Sequence, residues 1–250
     1  MNITVSSLLM KSEPTELSPL ETECLFGETV EVLDEYLDWV YCKLVTDNYH
    51  GWVLSKGLNK SPNSTHRVLV KRSFIYMDKS PKSNCLFYVP MGAQLVIDSI
   101  SSGWAKVKLY GNAIQTGYVP SKHIVTLSHT VKDWVAVAQQ LSGTPYKWGG
   151  RDSVGIDCSA LLQLSYQAYG KSIPRNSSEQ IKLKKNNIEN IDNLKRGCVI
   201  FWEGHVAIMI DDLNCIHANA YHMQTKTEPL NEVIRRLDKS LKIIKMMDFN

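Results

Sequence analysis

The sequence has no apolar stretch near the ~18 residues that a membrane-spanning helix needs, and no block of charge of one sign. Its net charge is only +3 over 250 residues, so composition demands neither nucleic acid nor a membrane surface as partner. Metal-binding spacings are missing too. The six cysteines (Cys24, Cys42, Cys85, Cys158, Cys198 and Cys215) form no CxxC pair, and neither a metal nor a cofactor is expected. The opening segment MNITVSSLLMKSEP lacks a basic start and an apolar core. It does not read as a secretory signal, and a cytoplasmic location with reduced thiols is the expectation. What remains is ordinary for a globular chain: 44% hydrophobic and 21% charged residues. At about 100–150 residues per domain, the length allows two or three. Nothing in the composition fixes an oligomeric state.

Up to about residue 60, short β-like runs alternate with turn residues: ITVSSLLM, TVEVLDEY, LDWVYCKLV and HGWVLSKGL. The order recurs from about 66 to 127 in HRVLVKRSFIYM, VPMGAQLVIDSI, SSGWAKVKLY and TGYVPSKHI. Gly27 matches Gly92, Trp39 matches Trp104, and Gly51-Trp52-Val53 matches Gly117-Tyr118-Val119. Strands this short and closely spaced predict two small β-barrels. The resulting domain bounds are 1–60, 61–127 and 128–250. In the third segment, Thr130 to Asp133 resembles a capping box ahead of a helix through Trp134, Val135, Val137, Ala138 and Leu141, stopped by Gly143. Residues 182–196 predict a solvated loop with a helical turn, and Leu241 to Met246 a last strand.

The third segment is organised around PYKWGGRDSVGIDCS, residues 145–159. Cys158 sits where this loop becomes a helix over about 158–169, stopped by Gly170. First-turn N–H groups and the macrodipole favour negative charge there. The thiol is therefore expected to have a lowered pKa and to act as a nucleophile, although a cysteine is more commonly a small buried side chain. A thiol nucleophile needs a base, and the base an orienting group. His205 in GHVAIMI and His217 in CIHANA lie in two β-like runs joined by a turn at Asp211, Asp212 and Leu213. If Ile210 pairs with Asn214, then Ala207 faces His217 and His205 lies diagonal to it on the same face. A one-residue slip would put the two histidines on opposite faces.

The pieces PYKWGG, DCSALLQLSY, IPRNSSEQ, LKRGCVIFW, GHVAIMI and IHANA, in this order over roughly residues 128–250, resemble the NlpC/P60 family of papain-like cysteine peptidases. The departures are Ala160 where the family has Gly after D-C-S, and Cys198 where it has Asp. The two barrels resemble bacterial SH3-like domains, the first through LFGETVEVL and YHGWV. The implied fold is α+β, a papain-like NlpC/P60 catalytic domain preceded by two small SH3-like β-barrels. The resemblance implies Cys158 as nucleophile, His205 as base and His217 as its orienter, with Asn219 the alternative third member. It also implies substrate contacts from Tyr146, Trp148, Asp157, Ser159 and Ser177, with Asp157 facing a free α-amine. Glu13 and Tyr49 of the first barrel are the expected contributors to the same amine pocket, with Glu28 as substitute. Asp157 and Ser177 could instead be helix caps, and His222 is expected at the surface or behind the triad.

The implied activity is that of a γ-D-glutamyl-L-diamino acid endopeptidase. Its substrate would be a soluble murein peptide with a free N-terminal L-Ala, met in wall-peptide recycling. The competing readings are an N-acetylmuramoyl-L-alanine amidase or another amide hydrolase of the same fold, and a non-catalytic wall-binding protein.

Overall fold

The computed structural model describes residues 1–111, 113–237 and 242–250. The chain divides into two units, residues 1–129 with 151–153, and residues 130–150 with 154–250. The fold is α+β.

Two large antiparallel sheets make up most of the first unit, beside a short pairing of Asn2–Ile3 with Leu58–Asn59. One has the order Leu20–Leu25, Ser7–Lys11, His50–Leu54, Trp39–Leu44, Val30–Tyr36 and closes over Met10, Cys24, Cys42, Leu44 and Val53. The other has the order Cys85–Pro90, Arg72–Tyr76, Thr116–Pro120, Trp104–Lys108, Gln94–Ser101, His66–Val68, Ile124–Thr126. It closes over Val68, Ile75, Val89, Leu95, Val107 and Val119. The sequence repeat is a repeat of register: Trp39 opposes Tyr36 across its hairpin and Trp104 opposes Ser101. Gly51 and Gly117 occupy equivalent strands, and a Cβ on either would collide with a core side chain, Met10 in one barrel and Ile75 in the other. Each glycine is there so that a neighbouring hydrophobe can press against bare backbone.

Residues 151–153 complete this unit. The Arg151 guanidinium is fully buried. It donates to both carboxylate oxygens of Glu28 at 3.0 and 3.1 Å and to the Glu23 carbonyl at 2.8 Å. Asp152 accepts a hydrogen bond from the Tyr88 hydroxyl at 2.8 Å. Glu28 is therefore corrected as a candidate for binding a substrate amine: it is buried and already neutralised by Arg151.

The second unit begins with α1, Trp134–Gln140. Asp133, not Thr130, is its cap, accepting from the Ala136 N–H at 3.1 Å. The expected capping box thus lies one turn too early. Next come α2, Cys158–Ala168, and the short α3, Ser177–Gln180. The strands β1, Asn186–Asn187, β2, Cys198–Trp202, β3, His205–Met209, β4, Asn214–Asn219 and β5, Gln224–Pro229 follow, then α4, Leu230–Leu237, and β6, Lys245–Asp248. The sheet order is β1-β6-β2-β3-β4-β5, antiparallel throughout. The final strand runs later than expected because Met247 and Phe249 are the buried side chains there, and Leu241 lies outside the described residues. All five residues of β2 are buried. Cys198, Ile200 and Trp202 of β2 join Ala207, Met209, Cys215, Leu230 and Val233 in one cluster. The Trp134, Tyr166 and Phe249 rings pack together, with centroids 5.2–6.3 Å apart.

Candidate active site

Asp157 creates the start of α2. Its Oδ1 accepts from the Ala160 N–H at 2.8 Å, an N-cap that stabilises the first turn by about 1 kcal/mol. Its Oδ2 accepts from the Gly149 N–H at 3.0 Å, which ties the two-glycine turn to the helix. Arg175 then grips both oxygens, at 2.6 and 3.0 Å, and donates to Ser159 Oγ at 2.8 Å. Asp157, expected to face a substrate ammonium, is held on both oxygens by Arg175, which is 1% exposed. Arg175 stands in IPRNSSEQ, where nothing local marks its role. An arginine beside a proline gives no sign of burial until its carboxylate is known.

Cys158, the first residue of α2, is buried, and its Sγ lies 4.0 Å from the Gly204 carbonyl. Burial first, and the Asp157 charge second, push its thiol up to about 12. The Val206 and Ser159 N–H groups and Arg175 act in the other direction. The expected lowering at the helix start is therefore corrected: desolvation outweighs the dipole. Contacts to Gly204 and Val206 place the sulfur against the backbone on both sides of His205.

The β3–β4 register is the one that unites the histidines. Ile208 opposes Ile216 and Met209 opposes Cys215, and the Ile210 N–H donates to the Asn214 carbonyl at 2.9 Å. Nε2 of His205 lies 2.7 Å from Nδ1 of His217. Burial, then the neighbouring His217 and Arg236, push His205 down to about 3. His217 is 1% exposed and is also lowered, chiefly by burial. Burial thus favours the neutral form of both the Cys158 thiol and the His205 imidazole.

Asn219 takes no part in this contact: its Oδ1 accepts from the His222 N–H at 2.8 Å and its Nδ2 lies 3.5 Å from the His217 carbonyl. Behind His217, its Nε2 lies 2.8 Å from Glu228 Oε1. Glu228 also meets His222 Nε2 at 3.2 Å and the fork of Arg236 at 2.7 and 3.0 Å. Neither Glu228 nor Arg236 was marked by the sequence. Their signal was only spacing on a strand and a helix whose adjacency was unknown.

Among the other expected contacts, Tyr146 is half-buried, and burial followed by the Cys158 and Asp157 charges pushes its hydroxyl up to about 12. Trp148 is 69% exposed. Ser159 is buried and joined to Asp157 and Arg175. Ser177 is half-buried as the first residue of α3, whose cap position is Asn176, so Ser177 is not the cap. In the first unit, Glu13 is exposed. The Tyr49 hydroxyl donates to Glu21 Oε2 at 2.8 Å.

Residues 143–238 match the NlpC/P60 family, and residues 11–58 match the bacterial dipeptidyl-peptidase SH3 domain. A dipeptidyl-peptidase 6 from Lysinibacillus sphaericus is 24% identical, over 93% of this chain and 93% of its own length. Gamma-D-glutamyl-L-lysine dipeptidyl-peptidases from Bacillus subtilis (strain 168) and Bacillus cereus are 26% and 28% identical. Those two matches cover 85% and 87% of this chain, and 78% and 72% of the relatives. A crystal structure of an NlpC/P60 family protein from Bacillus cereus has a TM-score of 0.84 at 22% identity, over 99% of this chain and 98% of that one. This likeness shows a shared fold.

Proposed function

We propose, from the premise that this chain carries an NlpC/P60 domain behind a bacterial SH3 domain, that it is a cysteine peptidase of soluble cell-wall peptides. It hydrolyses the amide between the γ-carboxyl of D-glutamate and a diamino acid. The observation that carries this reading is the buried Cys158 thiol at the start of α2, lying against the Gly204–Val206 backbone, with His205 backed by His217. The substrate class is supported by relatives named gamma-D-glutamyl-L-lysine dipeptidyl-peptidase.

In this mechanism His205 takes the thiol proton as Sγ attacks the γ-carbonyl carbon. The Cys158 N–H, one of the first-turn donors without a helical partner, faces the developing oxyanion. The proton on His205 then passes to the leaving amine, and a thioester remains. Water, deprotonated by His205, cleaves the thioester and restores the thiol. His217 holds the His205 ring in position. Because burial favours the neutral form of both partners, each attack begins with a proton transfer, and the charges are made only within the site.

We further propose that the substrate begins with a free L-Ala amine and is met during wall-peptide recycling in the cytoplasm. Releasing a dipeptide requires counting two residues from a chain end, and the ammonium marks that end. The six cysteines are all free, which suits a reducing compartment. The test is mass spectrometry of L-Ala-γ-D-Glu-diaminopimelate incubated with the protein, beside its N-acetylated and its muramoyl-linked forms. L-Ala-D-Glu and free diaminopimelate from the first peptide, with much slower cleavage of the acetylated one, are expected. Release of the sugar with the γ-bond intact would make the protein an amidase. No product from any form would leave it a binding protein.

A further inference from the structure

We propose that Glu228 is a positioning residue that fixes the direction of every proton in the His217–His205 chain, with Arg236 holding it in the ionised form. This rests on the cysteine-peptidase reading above. The placement follows from register. His217 opposes Lys226 and Cys215 opposes Glu228 across β4 and β5, so His217 and Glu228 are diagonal neighbours on one face. That face also carries Ala207 and Met209, and α4 covers it.

An ionised carboxylate has no proton and can only accept hydrogen bonds. His217 Nε2, 2.8 Å from Glu228 Oε1, must therefore carry hydrogen. A neutral imidazole holds one N–H, so His217 Nδ1 bears a lone pair. His205 Nε2, 2.7 Å from that nitrogen, must then be the donor. The consequence is a lone pair on His205 Nδ1, the atom that has to receive the thiol proton. One carboxylate thus sets two tautomers in series. During attack a single proton moves, from Sγ to His205 Nδ1, and none passes along the chain to Glu228. The same proton later leaves with the amine, so the relay returns unchanged.

Glu228 is suited to this by its surroundings. From β4 it faces His217 and Cys215, from the following turn His222, and from α4 Arg236. The Arg236 guanidinium also stacks on the Tyr221 ring, 4.2 Å from its centroid, which fixes its plane. Burial alone would raise the Glu228 carboxyl, but hydrogen bonds from Arg236, His217 and His222 hold it at about 2. With Glu228 replaced by its amide, either ring nitrogen of His217 could be served. The reversed chain would place hydrogen on His205 Nδ1, where it blocks the base.

The experiment uses the full chain with 15N-labelled histidine, observed by NMR near neutral pH, together with peptide kinetics. In the unaltered protein, His205 and His217 are both expected as neutral rings with hydrogen on Nε2. Hydrogen on His217 Nδ1 would overturn the proposal. Glu228→Gln should populate the Nδ1–H form of His205 and lower kcat with KM nearly unchanged. The loss should lie between the ~10- to 100-fold typical of groups that orient a metal-bound histidine from behind and the ~10⁴ seen when a triad carboxylate becomes an amide. Unchanged kcat and a single tautomer in that variant would also overturn it. Should Glu228→Gln not fold, the spectrum of the unaltered protein decides alone. That spectrum needs no substrate, so a protein that cleaves no wall peptide refutes the functional reading while the relay is still judged on its own.

Discussion

Asp157→Asn separates the structural and chemical duties of the residue before the nucleophile. The amide keeps an oxygen for the Ala160 N–H, now 2.8 Å from Oδ1, so most of the ~1 kcal/mol of the cap survives. What is lost is the charge opposite Arg175, whose guanidinium meets both Asp157 oxygens and is 1% exposed. Stripping one partner from a buried pair costs about 3–5 kcal/mol, out of a total stability of about 5–15 kcal/mol. At about 2–4 °C per kcal/mol for a chain of this size, Tm should fall by about 6–20 °C. The thiol should respond in the opposite sense. The Asp157 charge is the second cause, after burial, that pushes Cys158 up to about 12, and Arg175 opposes it. Removing the charge must make the thiol more acidic. Calorimetry reads the first effect; thiolate absorbance against pH, with Cys158→Ser as the blank, reads the second. Adding Arg175→Met should return most of the stability, since both charges are then gone. A Tm within about 3 °C of the parent, or a thiol that titrates no lower, would refute this account.

His217→Ala should lower kcat by about 10²–10⁴, with modest loss of stability because Glu228 keeps Arg236 and His222. Asn219→Ala, measured in the same assay, should do far less. With burial favouring the neutral thiol, alkylation of Cys158 by iodoacetamide at pH 7 depends on base assistance. His205→Ala should slow labelling of Cys158 but not of the exposed Cys85, and equal slowing of both would count against His205 as base. Thermal unfolding should show acid sensitivity that begins near neutrality. His205 and His217 are lowered in the folded state, so the unfolded chain binds protons first, and stability falls as pH drops below about 6.5. Glu228, held at about 2, adds a loss as pH falls from about 4.5 towards 2. A flat Tm between pH 6.5 and 4.5 would exclude the histidine contribution.

What could be read from the sequence was whatever is written locally. The helix start at Cys158 followed from a loop meeting an apolar run, and the β3–β4 hairpin from turn residues at 211–213 and alternating side chains, while the choice between its two registers rests on the pairing of Ile208 with Ile216. The barrel repeat was visible because Gly51 and Gly117 meet the same steric demand. Groups that matter through distant partners were not visible. Arg175 reads as a surface cation until Asp157 is opposite it, and Glu228 looks like a solvated strand residue until β5 lies beside β4. Helix α4 does carry a local signal, with Leu230, Val233, Ile234 and Leu237 at helical spacing. The thiol marks a further limit: the helix dipole is legible in sequence, but the burial that opposes it is not.

The Arg151–Glu28 pair sets an order in time. The two residues are 123 positions apart, and at about 5–20 residues per second the ribosome takes about 6–25 s to travel between them. Through that interval the first barrel has emerged with a carboxylate whose folded position is buried, and its neutralising cation does not yet exist. The Leu25 N–H and the Thr46 hydroxyl already serve the Glu28 carboxylate, but burying it without a countercharge costs several kcal/mol, so this corner is less stable until Arg151 arrives. The cation that completes this corner of the first unit is thus supplied by the segment that leads on to the nucleophile.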